Sequence, residues 1–262
     1  MNVVALFEAL KPVAREAGEC IMAVYENAPE ATTKADGSPV TEADAAAERV
    51  ILKALAALAP DIPVVSEENA SSHSLAVTSR FFLVDPLDGT KEFMKRDGQG
   101  AFTVNIGLVD HGVPIAGLVF APALDRLFMG VSGQNGDASL AYEECAGIRQ
   151  VLAVRAVPPA HWTAVASASH RDAQTEAWLK DHPVGGTVSV GSSLKFCLLA
   201  GGEADVYPRF GPTMEWDTCA GDAVLRAAGG SVKHPAGGLF NYGKPDYRNG
   251  AFVAWGALQL NA

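Results

Sequence analysis

Apolar residues recur with a helical period at the start of the chain: Val3, Leu6, Phe7, Leu10, Val13, Ala14, Ala17, Ile21, Val24 and Tyr25 share one face. This predicts a long amphipathic helix over Val3 to Tyr25, with Pro12 either kinking it or marking its true first turn. Lys34 to Pro39 is dense in turn formers. Thr41 to Asp44 then resembles a capping box opening a second helix that runs to about Leu58. From there the period changes. Short apolar runs at Ile62 to Val65 and Phe81 to Val84 read as buried strands ending in acid. Ala101 to Val109, Val113 to Phe120 and Leu127 to Val131 read as further strands, joined by turns at Asp110 to Gly112 and Pro122 to Asp125. Beyond Pro158 strands alternate with helices. The strands are Trp162 to Ala166, Thr187 to Val190, Ala204 to Tyr207 and Ala251 to Trp255; the helices are Gln174 to Lys180, Ser192 to Ala200 and Asp217 to Ala228, the last stopped by Gly229-Gly230. This order predicts an α/β protein: an α+β half over residues 1–157 followed by an α/β half over 158–262. No linker, repeat or low-complexity segment separates them, so the halves are expected to share an interface.

Composition narrows the function. With 48% hydrophobic and 19% charged residues the chain is neither disordered nor a coiled coil. Its net charge of -10, without a basic stripe, argues against a nucleic-acid polymer as partner, because such binding displaces counterions with clustered Lys and Arg. An acidic protein still takes an anionic ligand where its carboxylates hold cations. Cys20, Cys145, Cys197 and Cys219 lie far apart with no Cys-x-x-Cys pair, which fits neither a zinc site nor a disulfide framework and suits a reducing cytoplasm. No signal peptide is expected from the acidic start, and no apolar run reaches the roughly 20 residues that span a bilayer.

Candidate chemistry gathers at three places. Asp85-Pro86-Leu87-Asp88-Gly89-Thr90 follows a buried strand directly, so two carboxylates three residues apart stand on a rigid turn where hard cations such as Mg²⁺ find oxygen ligands. An Asp-capped type I turn is the structural alternative. Glu67 closes another strand, and Asp217 stands before an Ala-rich helix, where it also suits an N-cap. Asp44 fits equally a first-turn carboxylate facing the helix dipole.

Ser66-Glu67-Glu68, Asp85 to Thr90, and Glu215-Trp216-Asp217-Thr218-Cys219-Ala220-Gly221 resemble the three signature segments of the inositol monophosphatase superfamily, in matching order and spacing. Within it, Asp88-Gly89-Thr90-Lys91-Glu92-Phe93 and Gly191-Ser192-Ser193-Leu194-Lys195-Phe196-Cys197 are similar to the bacterial 3'(2'),5'-bisphosphate nucleotidases of the CysQ type, whereas inositol phosphatases usually carry Asn-Phe in place of Glu92-Phe93. The resemblance implies a layered αβαβα sandwich of the inositol monophosphatase and fructose-1,6-bisphosphatase type. It implies two or three Mg²⁺ per site: one on Glu67, Asp85 and the Leu87 carbonyl, a second on Asp85, Asp88 and Asp217, and a weaker third on Glu67 and waters. Asp44 and Thr90 would accept a proton from the attacking water. A phosphorylated nucleotide would meet these ligands together with Gly89, His170, Ser192, Lys195 and Arg209, the last two serving a second phosphate. The implied reaction is hydrolysis of the 3'-phosphate of adenosine 3',5'-bisphosphate to AMP in sulfur metabolism, inhibited by Li⁺. An inositol- or sugar-phosphate phosphatase on the same fold, and a catalytically silent nucleotide or metal sensor, stay open as alternatives. So do attachment to the inner membrane surface and the choice between monomer and homodimer.

Overall fold

The computed structural model describes residues 2–27, 39–75, 79–96, 98–133, 138–156, 158, 160–167 and 172–257. His170, the predicted turn at 34–38 and the side chain of Thr41, with its capping role, lie outside them. The elements are α1 (Val3–Asn27), α2 (Pro39–Leu58), β1 (Val64–Ser66), β2 (Arg80–Asp88), α3 (Thr90–Lys95), β3 (Thr103–Asp110), β4 (Val113–Ala121), β5 (Arg126–Val131), β6 (Leu140–Cys145) and β7 (Ile148–Val151). They continue with β8 (Trp162–Ser167), α4 (Ala173–Asp181), β9 (Val184–Val190), α5 (Leu194–Ala200), β10 (Val206–Arg209), β11 (Thr213–Met214), α6 (Cys219–Ala227), β12 (Ser231–Lys233), β13 (Arg248–Asn249) and β14 (Phe252–Trp255).

β1 to β7 form one sheet in chain order, with β1 and β2 parallel and every later pair antiparallel. β12, β14, β10, β8 and β9 form a second, mixed sheet, and β11 pairs β13 alone. Alternation along each strand builds the layers. Phe82 and Val84 of β2 pack with Phe7, Leu10, Ile51 and Leu55 of α1 and α2. Phe81 and Leu83 join Phe196 and Val224 of α5 and α6 on the opposite face. The second sheet turns Tyr207 and Phe252 toward that same layer, and Ala164, Val206 and Val253 toward Leu179 of α4. The result is an αβαβα sandwich.

Three glycines set how closely α6 lies on the first sheet. Gly107, Gly117 and Gly130 are register partners across β3, β4 and β5. A Cβ at Gly117 would stand 2.1 Å from the Ala220 carbonyl oxygen, and one at Gly130 2.5 Å from the Val224 Cα. The missing side chains open a trough into which the backbone of α6 descends.

Several local expectations need correction. α1 runs on through Pro12, which neither starts nor ends it. Asp85 to Asp88 is no turn beyond a strand: it continues β2, with a register shift between Asp85 and Asp88, and the chain turns at Gly89. Asp217 is not the cap of α6, which begins at Cys219 after Thr218; its Oδ2 accepts the Met214 N–H at 2.8 Å instead. β6 and β7 were not anticipated. Their charged residues conceal the alternation because Arg126 neutralises Glu143, and Lys11 and Arg149 neutralise Glu144.

Candidate active site

The parallel pairing of β1 with β2 sets Ser66 opposite Val84, so the next residues, Glu67 and Asp85, emerge side by side at the end of the sheet. Ser66 is pinned there: its N–H donates to Ser72 Oγ (3.0 Å) and its hydroxyl to Glu48 Oε1 (2.5 Å). Asp85 is almost fully buried, and its Oδ1 accepts the Leu87 N–H at 3.0 Å, which fixes the bulged corner. In β3 Asn105 stands opposite Asp85, and Thr103 opposite Asp88. The Thr103 and Ser193 hydroxyls lie 3.0 Å apart, and Ser193 donates to Asn105 Oδ1 at 2.5 Å, so α5 is tied to the strand that flanks both acids.

Asp217 reaches the same point from the other half of the chain. One carboxylate oxygen from each of Glu67, Asp85 and Asp217 lies within 4.8 Å of the others. These three, with Leu87, Asp88, Gly89 and Thr90, form one wall of a cavity of about 400 Å³; Gly191, Ser192, Lys195, Tyr207 and Arg209 also line it. Gly89 holds φ +94°, and a Cβ there would meet Ala101 O at 3.0 Å and Ser192 Cβ at 3.3 Å. At Gly191 a Cβ would fall 2.3 Å from Glu92 Cγ.

Each acid is short of positive charge. Burial, then Glu67 and Asp88, hold Asp85 well above the usual carboxylate range; burial, then Asp88, does the same to Asp217. Burial with the charges of Asp88 and Glu68 pushes Glu67 up to about 7. Asp88 rises to about 6, burial outweighing the pull of Lys195. A hard cation among these oxygens reverses every one of those shifts, so the donor set fits Mg²⁺-type chemistry.

Asp44, 7% exposed on α2, lies near enough for its charge to raise Glu67 and Asp85, does not line the cavity, and is itself pushed up to about 7 by burial with the charges of Glu68 and Glu48. Thr90 is exposed at the start of α3, and among the described residues no hydrogen bond joins the two. Lys195 is buried: its ammonium donates to the Val190 carbonyl (3.4 Å) and to that of Ser192, and lies 5.3 Å from the Tyr207 ring centre. Burial lowers it to about 8. The Arg209 guanidinium donates to Gly211 O (3.2 Å) and Pro212 O (3.0 Å). Ser192 adopts φ +50°, and its Oγ accepts the Leu194 N–H. Glu92, buried on α3 and lining the cavity, was not singled out as a site residue from the sequence; the charged helix turn gives no sign of its burial.

The family model described as inositol monophosphatase family matches residues 3–260. The chain belongs to the inositol monophosphatase family. The protein named 3'(2'),5'-bisphosphate nucleotidase CysQ from Shigella flexneri is 48% identical over 234 residues, covering 88% of this chain and 91% of that protein. Its namesake from Salmonella typhimurium is 46% identical over 241 residues, covering 90% and 94%. Among solved structures, that of CysQ from Bacteroides thetaiotaomicron, described as a bacterial member of the inositol monophosphatase family, superposes with a TM-score of 0.81 at 36% identity and covers 97% of both chains. This family fold is the αβαβα sandwich described above. Among the described residues no helix is long and apolar enough to cross a membrane.

Proposed function

We propose that the chain is a Mg²⁺-dependent phosphomonoesterase that hydrolyses the 3'-phosphate of adenosine 3',5'-bisphosphate to AMP and phosphate, with a place in sulfur metabolism. One observation carries the reading: the carboxylates Glu67, Asp85, Asp88 and Asp217 line one cavity, Asp85 buried and the others partly exposed to it, together with the cations Lys195 and Arg209. The names of the relatives at 46–48% identity support the choice of substrate.

We assign Mg²⁺ to Glu67, Asp85, the Leu87 carbonyl, Asp88 and Asp217, where it would neutralise phosphoryl oxygens and acidify the attacking water. The chain's own residues position and discharge the reactants. The main-chain N–H groups of Gly89 and Thr90 receive the scissile phosphate. The Thr90 hydroxyl passes the proton of the attacking water toward Asp44, whose raised pKa suits a carboxyl that takes up a proton near neutral pH. Lys195 and Arg209 hold the second phosphate, and Ser192 borders the nucleoside.

The test is phosphate release with Mg²⁺ from adenosine 3',5'-bisphosphate, inositol 1-phosphate, fructose 1,6-bisphosphate and histidinol phosphate, compared by kcat/KM. Preference for the first supports the proposal. Preference for any of the others overturns the substrate, and nucleotide binding without turnover overturns the enzyme.

A further inference from the structure

Asp217 owes its position to a distant stretch of chain. Two residues before it, Glu215 is fully buried, and its carboxylate accepts the N–H groups of Gly243 (2.7 Å) and Lys244 (3.0 Å) and the Lys244 ammonium (2.6 Å). The Glu215 N–H donates to the Tyr247 carbonyl at 2.7 Å. Asp246 and Tyr247 hold φ of 56° and 50°, a strained backbone at the point where that bond is made. One residue after Asp217, the Thr218 hydroxyl accepts from Asn249 Nδ2 at 2.9 Å, and the same amide donates to the Met214 carbonyl at 2.8 Å. Met214, paired with Arg248 across β11 and β13, gives its own N–H to Asp217 Oδ2 at 2.8 Å. A chain of hydrogen bonds therefore runs from residues 243–249 into the carboxylate. Glu215, Lys244 and Asn249 are absent from the cavity lining.

We infer that Glu215 and Asn249 are positioning residues that set the place and orientation of the Asp217 carboxylate for a bound cation. The inference rests on the metal site proposed above and adds residues that touch neither ion nor substrate. Lys244 balances the Glu215 charge, so the clamp adds no uncompensated anion to a cluster already rich in them. Supports of this kind typically govern ion affinity by about 10- to 100-fold while the ligands stay the same.

The experiment is a Mn²⁺ titration of the full chain followed by electron paramagnetic resonance of the free ion, with thermal unfolding of metal-free protein in parallel. Glu215→Gln and Asn249→Leu keep side-chain volume and are expected to weaken the ion held through Asp217 by about tenfold. Lys244→Gln removes the partly exposed charge that balances Glu215 while the Gly243 and Lys244 N–H groups stay in place, and is expected to weaken it by about tenfold, with the parallel thermal unfolding showing that the variant is folded. Asp217→Asn marks complete loss at that position. Affinities within about twofold of wild type in the folded variants, Lys244→Gln among them, overturn the inference, because a role in folding alone lowers thermal stability and leaves ion affinity unmoved. Wild-type protein that binds no Mn²⁺ saturably, or Asp217→Asn that binds as tightly as wild type, overturns the metal site itself and the inference with it.

Discussion

The carboxyls of Glu67, Asp85, Asp88 and Asp217 are raised first by burial and then by neighbouring carboxylates, Glu92 in the case of Asp88, and that sign governs how the metal-free protein responds to pH. A carboxyl raised in the folded state binds protons more tightly there than in the unfolded chain. Its contribution to stability is complete below the unfolded value, near 4, and is lost as pH rises through the folded value, about 6 for Asp88 and about 7 for Asp44 and Glu67. Calorimetry in chelator is therefore expected to show a Tm lower by roughly 5 °C at pH 8 than at pH 5, and saturating Mg²⁺ should remove the difference. Asp88→Asn is expected to cut phosphate release by at least about 100-fold in a steady-state assay at saturating Mg²⁺. Lys195→Ala and Arg209→Ala should each raise KM for the bisphosphate nucleotide by about tenfold, through a lost charge-assisted contact, and leave inositol 1-phosphate hydrolysis nearly unchanged. Equal losses on both substrates would place these cations in the general chemistry instead of substrate choice.

At the scale of elements, the Gly107–Gly117–Gly130 trough decides how far Asp217 can approach the first sheet, because α6 begins two residues after it. Gly117→Val would drive a branched side chain into the Ala220 carbonyl. Urea unfolding is expected to report a loss of about 3 kcal/mol. α1 and α2 were legible in the sequence because each buries one clean face, and β3 to β5 because each is a short, near-continuous apolar run buried on both faces. The ends of β2 and α6 were not, because Asp88 and Thr218 look locally like turn and helix residues and owe their conformation to pairing with Thr103 and to the Glu215 carbonyl. The residues at the cavity were readable mainly through motif resemblance. Periodicity offers no route to the meeting of Glu67, Asp85 and Asp217, and none to Glu215 and Asn249, whose bonds join segments some thirty residues apart.

For the whole molecule, the cluster draws on both ends of the fold: Glu67, Asp85 and Asp88 come from the first sheet, and Asp217 precedes the helix between the sheets. A cation bound there cross-links distant parts of the chain and stabilises only the folded form. At Mg²⁺ a hundredfold above its dissociation constant the gain is about 2.7 kcal/mol, measurable as a rise in the urea midpoint. Li⁺, competing for a Mg²⁺ position, is expected to inhibit turnover at millimolar concentration. Gly89 and Gly191 carry a different consequence. Around the cavity the chain already runs almost backbone to backbone, with Glu92 and Ser192 filling the space that a single added carbon would need. Neither glycine can gain a side chain without displacing Ala101, Ser192 or Glu92, so new specificities must arise at other wall positions, such as Glu92, Lys195 or Arg209.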